Sequence, residues 1–231
     1  MPEEKHLTLI EHLEELRYRI IVCLVSLFIF FLISLHYAKE ILNLLTKPVE
    51  RLVFISPLEL FLVYLKVAFI GGIILSSPII FYQIWQFISS GLYPREKKYI
   101  KIFFPFSLIL FILGVLFSYF FVFPLGIKFL LSFSTEKIVP MLSVNRYLSF
   151  VLTLIFATGI VFETPIVVLF LTKLKILTPK LLLRNWKYAV LFAFIISAII
   201  TPTVDVFTQF LLAVPIIFLY FISVLISKIL S

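Results

Sequence analysis

Six apolar runs separated by short polar segments set the rhythm of this chain. Each is too long for a typical strand, and several approach the roughly 20 residues that carry a helix across a bilayer. The pattern predicts helices over about residues 20–35, 67–88, 102–123, 147–171, 188–200 and 206–227. The fifth stands apart, because its 13 residues would rise only about 20 Å. A Thr201-Pro202-Thr203 break divides it from the sixth. No repeat, low-complexity tract or soluble domain interrupts the series, so residues 1–231 read as a single integral membrane domain.

Polar segments add detail. The connection from His36 to Lys66 is long for a helical bundle. Within it, YAKEILNLLTKPVERL sets Ile41, Leu44 and Leu45 at helical spacing ahead of Pro48. That predicts a short amphipathic helix on or near the outer surface. SPLEL (56–60) then reads as the entry to the second helix. Ser56 suits the cap, Pro57 the first position and Glu59 the positive helix end. Thr8-Leu9-Ile10-Glu11 fits a capping box, which predicts that the first helix starts there and runs on into the membrane.

Composition confirms the class and narrows it. A mean hydropathy of +1.18, with 62% hydrophobic and only 14% charged residues, excludes an ordinary soluble domain. The net charge of +8 would suit nucleic acid, but the basic residues lie in short segments between apolar runs, as cytoplasmic loops do. With the N-terminus inside, 13 of the 20 Lys and Arg fall on cytoplasmic segments, which predicts both termini in the cytoplasm. Cys23 lies alone in an apolar run and the three histidines are scattered, so no disulfide, metal or cofactor is expected. Residues 1–19 carry five glutamates where a signal peptide would be basic, and read as a retained cytoplasmic segment.

The acids carry the candidate chemistry. On a helical wheel Ile10, Leu13, Leu16 and Ile20 share one side, with Glu11, Glu14, Glu15 and Tyr18 opposite. Pairing within the helix, Glu15 with Arg19 and Glu14 with Arg17, is the plain alternative to a binding role. Such pairs stabilise by only about 0.3–0.5 kcal/mol, so a better cation can displace them. Carboxylates beside a membrane suit guanidinium groups, which they bind through paired hydrogen bonds. Glu96 stands alone in a basic loop on the same side. Glu163 falls within the fourth apolar run, where an ionisable group points to function, and Pro165 threatens a kink there. Asp205 suits the first turn of the sixth helix and Gln209 a bond to a neighbouring helix. No enzyme signature accompanies these residues.

Five stretches in order, HLEELRYR (12–19), SPLE (56–59), FYQIWQFISSGLYPREKK (81–98), FETP (162–165) and TPTVDVFTQFLLAVP (201–215), resemble the TatC family, the multispanning receptor subunit of twin-arginine protein translocation. The resemblance implies an all-α membrane protein of six transmembrane helices in a cupped, glove-like bundle with helices five and six short. It assigns recognition of the paired arginines of cargo signal peptides to Glu15 and Glu96, with Leu13, Arg17, Arg19 and Phe87 around them. It further points to Pro48 in the outer loop, to Glu163 and Pro165 within the bundle, and to Asp205 and Gln209 on the outer side. Implied partners are signal peptides of folded cargo, single-span TatA- and TatB-like subunits, other copies of the chain and the bilayer, with no nucleic acid. The setting is the bacterial cytoplasmic membrane and the energy source the proton-motive force. Two positions depart from the family pattern: Ser90, where proline is common, and Phe221, where many members carry glutamate. The competing reading is a proton-coupled small-solute transporter with Glu163 as its protonation site. It leaves the acidic N-terminal segment unexplained and lacks the internal repeat such transporters often show.

Overall fold

Backbone groups that cannot find water inside a bilayer must pair within their own segment, and this chain meets that demand almost entirely with helix. The computed structural model describes residues 9–49, 51–94, 96–135, 141–201 and 205–230. Thr8 of the capping box, Arg95, and Pro202 and Thr203 of the predicted break lie outside the described residues. The helices are α1 (Leu9–His36), α2 (Ala38–Thr46), α3 (Pro57–Ser90), α4 (Lys97–Phe117), α5 (Phe123–Leu131), α6 (Val144–Val161), α7 (Thr164–Lys173), α8 (Pro179–Arg184), α9 (Trp186–Ile200) and α10 (Val206–Leu230). An isolated parallel β bridge joins Val53 to Ser143.

Five segments are long and apolar enough to cross a membrane: Ile10–His36, Pro57–Ser90, Lys97–Leu131, Val144–Lys173 and Val206–Ile229. At 15 residues α9 rises about 22 Å, short of a hydrocarbon core of about 30 Å. The expectation of two short closing helices therefore holds for α9 alone, since the 25 residues of α10 rise about 37 Å. α3 extends ten residues beyond the start expected from hydropathy, because its entry is capped as Ser56 and Pro57 dictate: the Ser56 hydroxyl accepts from the Leu58 amide at 3.2 Å.

Two predicted helices are interrupted, each beside a proline. A π turn over Ser118–Val122 joins α4 to α5, with the Phe123 amide reaching back to the Ser118 carbonyl. Pro124, next in line, cannot donate and crowds the preceding turn, which the wider π turn relieves. The fourth apolar run is two helices rather than one, and Glu163 lies at the break between α6 and α7 instead of within a continuous helix. Pro165 supplies no amide to Val161, and the Thr164 hydroxyl takes that carbonyl at 2.6 Å.

Glycine lets the helices close on one another. A Cβ on Gly72 would stand 2.9 Å from the Phe31 backbone of α1, and one on Gly114 would stand 2.8 Å from the Thr158 carbonyl of α6. The buried apolar side chains form two main clusters. One, at the α2 end, gathers Leu45, Val63, Phe123, Tyr147, Leu148 and Leu212. The other, at the opposite end, gathers Trp85, Ile100, Phe103, Ile166 and Phe170. α2 packs Ala38 and Leu45 inward, its Leu45 carbonyl accepting from the buried Tyr147 hydroxyl at 2.8 Å. Leu44, expected on the same apolar face, is exposed.

Candidate functional site

The polar stripe of α1 is set by a rotation that the wheel misjudges. His12, Glu15, Leu16 and Arg19 are half-buried, while Ile10 and Leu13 are 71% and 64% exposed. α1 thus turns a mostly polar edge toward the end of α3 and its apolar residues outward. Glu15 therefore leaves the solvated face assigned to it, whereas Glu11, Glu14 and Tyr18 stay exposed. His12 stacks on Phe87 with ring centroids 4.5 Å apart. The Ser90 hydroxyl donates to the Phe87 carbonyl at 2.7 Å and stands 3.4 Å from His12 Nδ1.

Within this seam Glu15 already holds a guanidinium. Arg19 Nε donates to Glu15 Oε1 at 3.0 Å, and Nη2 donates to the same oxygen. Arg19 Nη1 donates across to Gln83 of α3 at 3.0 Å. Glu15 Oε2 faces His12 Nδ1 at 3.9 Å. Of the two expected internal pairs only Glu15–Arg19 forms; no ion pair joins the exposed Glu14 and Arg17. The arrangement is a carboxylate shaped to a planar, forked cation and pre-loaded with one from its own helix.

Glu96 lies at the same end, six residues past the close of α3 and just before α4 begins. Half-buried, it folds back on its own turn: its Oε2 accepts from the Tyr93 amide at 3.2 Å and its amide donates to the Tyr93 carbonyl at 2.8 Å. No hydrogen bond joins it to Glu15 among the described residues. The structure thus joins Glu15 to Arg19 directly and links Phe87 to them through His12, and it sets Glu96, Leu13 and Arg17 at the same end with no hydrogen bond to that pair among the described residues.

Glu163 sits between the two apolar clusters. Ser107 of α4, itself 1% exposed, donates to Glu163 Oε2 at 2.5 Å, while the buried Oε1 has no hydrogen-bond partner among the described residues. Ser107, Phe111 and Gly114 recur at i, i+4 and i+7 on the α4 edge that meets the α6–α7 break.

At the α2 end stand the remaining candidates, with the Gln209 amide donating to the Asp205 carbonyl at 3.2 Å. Pro48 is exposed just after α2. Asp205 caps α10, its Oδ1 accepting from the Thr208 amide at 2.6 Å. Gln209 Nε2 donates to the Phe194 carbonyl of α9 at 3.1 Å, the inter-helix bond its position predicted. Sequence reasoning passes over two partners and underrates a third. Gln83 and Ser107 are polar residues inside apolar helices, which was the available signal. Glu59 does more than favour a helix end: it accepts from the Ile55 amide at 2.8 Å, from the Asn145 amide at 3.2 Å and from the Ser143 hydroxyl, clasping the connection to α6.

Comparison with known proteins bears on this arrangement. A sequence model described as Sec-independent protein translocase protein (TatC) matches residues 11–215. The Sec-independent protein translocase protein TatC of Carboxydothermus hydrogenoformans is 44% identical over 230 residues, covering 98% of this chain and 95% of that protein. Its counterpart from Aquifex aeolicus is 42% identical, covering 95% and 94%. A crystal structure of a twin arginine translocase receptor, TatC, superposes with a TM-score of 0.85 at 42% identity, covering 95% of this chain and 99% of that one.

Proposed function

This chain belongs to the TatC family of Sec-independent protein translocase proteins, and from that membership we propose that it is the receptor of a twin-arginine translocase. The observation that carries the reading is the Glu15–Arg19 pair, a carboxylate that binds a guanidinium in the chain's own seam. An arginine of a signal peptide replaces Arg19 on Glu15, and Arg19 keeps its bond to Gln83. The second arginine of the peptide is met by Glu96, at the same end.

In this reading both termini lie in the cytoplasm, α9 is the fifth of six membrane elements and the shortest, and the setting is the bacterial cytoplasmic membrane. Leu13 and Phe87 offer the apolar surface that receives the residues after the arginine pair, and Arg17 anchors the topology. Glu163, positioned by Ser107 beside the Pro165 break, lends polarity to the bundle where single-span TatA- and TatB-like subunits assemble. Pro48, Asp205 and Gln209 shape the opposite side for those subunits or for further copies of the chain. The chain acts by binding, without bond chemistry. The transporter alternative has no place for a guanidinium-binding seam remote from Glu163.

Photo-crosslinkers at the exposed Leu13 and Tyr93, flanking the two carboxylates, test this. They should capture a twin-arginine signal peptide, lose it with Glu15→Gln or Glu96→Gln, and ignore a twin-lysine peptide. Equal capture of both peptides, or undiminished capture by both variants, would refute the assignment.

A further inference from the structure

We propose that Lys66, with Asn145 and Ser149, forms a binding site for the phosphate of an anionic phospholipid at the α2 end of the molecule. Lys66 Nζ donates to Asn145 Oδ1 at 2.6 Å and to Ser149 Oγ at 2.8 Å. Both acceptors are neutral, and no carboxylate stands within ion-pair distance of the ammonium among the described residues. Glu59, two turns earlier on the same face, is committed to Ile55, Ser143 and Asn145. An ammonium has three donors and a full charge, so one donor and the whole charge await an anion.

Position selects the kind of anion. α3 has 34 residues, about 51 Å of rise, against a hydrocarbon thickness of about 30 Å. Centred in a bilayer it overhangs by about 10 Å at each end. Lys66 lies nine residues after Pro57, about 13 Å from that end. Its side chain leans toward the helix N-terminus, as helical side chains do, and reaches Asn145 in the first turn of α6. That height is the headgroup layer. On the same face Phe69, one turn deeper at i+3, is 48% exposed and offers an acyl chain a surface below the phosphate. A charge fixed between two helices, with an apolar surface leading away from it, fits a phosphodiester that carries tails.

Purified, delipidated protein titrated with phosphatidylglycerol and read by native mass spectrometry tests the site. Wild type should retain lipid, Lys66→Gln should bind about fivefold more weakly, and Lys66→Arg should match wild type. Lys47→Gln, which removes an exposed charge from the same end, should also match wild type. Diacylglycerol of equal chain length should bind poorly to all of them, and inorganic phosphate should not displace phosphatidylglycerol. Equal affinity in wild type and Lys66→Gln, or an equal loss in Lys47→Gln, overturns the proposal; displacement by inorganic phosphate overturns its lipid source. If Lys66→Gln fails to fold, wild type decides alone: diacylglycerol retained as well as phosphatidylglycerol overturns the site.

Discussion

Adding one methyl group at Gly114 should both loosen the bundle and disturb Glu163. An alanine Cβ there would lie 2.8 Å from the Thr158 carbonyl oxygen and 2.8 Å from the Phe162 side chain. Ordinary contact begins near about 3.4 Å, so α4 and α6 must part by roughly 0.6 Å, because the Thr158 oxygen is backbone and cannot turn aside. Overpacking of this kind costs about 1–3 kcal/mol. Ser107 lies two turns back on the same edge of α4, so the same displacement draws its hydroxyl away from Glu163. Gly159→Ala provides the contrast, since its Cβ would meet side chains rather than backbone, the rim of the Phe111 ring at 2.8 Å and Val115 at 3.1 Å. Gly91→Ala provides the control, with only the Ile88 carbonyl at 3.8 Å. Denaturation of the purified protein in mixed detergent micelles, followed by tryptophan fluorescence, should rank Gly114→Ala well below Gly159→Ala, and leave Gly91→Ala at wild type. A Gly114→Ala variant as stable as Gly91→Ala would refute the close crossing on which the argument stands.

Three further substitutions probe the seam and the two ends. Arg19→Gln removes the internal occupant of Glu15 and should tighten binding of a twin-arginine peptide roughly fivefold, the worth of about 1 kcal/mol of pair and hydrogen bond; weaker binding by fluorescence anisotropy would show instead that Arg19 holds the site in shape. Tyr147→Phe strands the Leu45 carbonyl and should cost about 1–1.5 kcal/mol, with faster proteolysis after Lys47; an unchanged cleavage rate would show that this bond does not dock α2. Gln209→Leu breaks the tie to the Phe194 carbonyl and should cost about 0.6–1.7 kcal/mol; unaltered unfolding, and an unaltered α9–α10 cysteine crosslink, would deny that tie.

Helix number and entry points were legible because their causes are local. Ser56, Pro57 and Glu59 announce a helix start by residue type alone, and the structure caps α3 there. The apolar runs give five long helices and a short α9 because bilayer thickness translates directly into residue count. Rotation of α1 was not legible. Hydrophobic periodicity marks an inward face in water, but near a membrane Ile10 and Leu13 have an apolar environment to face outward. The buried edge can then be the polar one, provided α3 supplies matching groups such as Gln83 and Ser90. The break at Glu163 was half legible: Pro165 announced a disturbance, but its form depended on Thr164 capping Val161 and on α4 bringing up Ser107, which lies 56 residues away.

The departure at Ser90 acquires a meaning in this geometry. The family pattern places proline there, and a proline carries no hydroxyl. Here the Ser90 side chain binds the Phe87 carbonyl and reaches toward His12, so it ties the last turn of α3 to the ring that His12 stacks upon. His12 in turn stands beside Glu15. The position and polarity of the guanidinium site therefore depend on side chains of two helices, none of which is an arginine-binding group by itself. Under the proposed function, selection of arginine over lysine would follow from the same arrangement. Arg19 shows that a planar fork can engage Glu15 and Gln83 together, whereas an ammonium at the same place would act as a compact point charge. On that proposal, a carboxylate kept loaded with an internal guanidinium would exclude weaker cations by competition and yield to a ligand of the same shape.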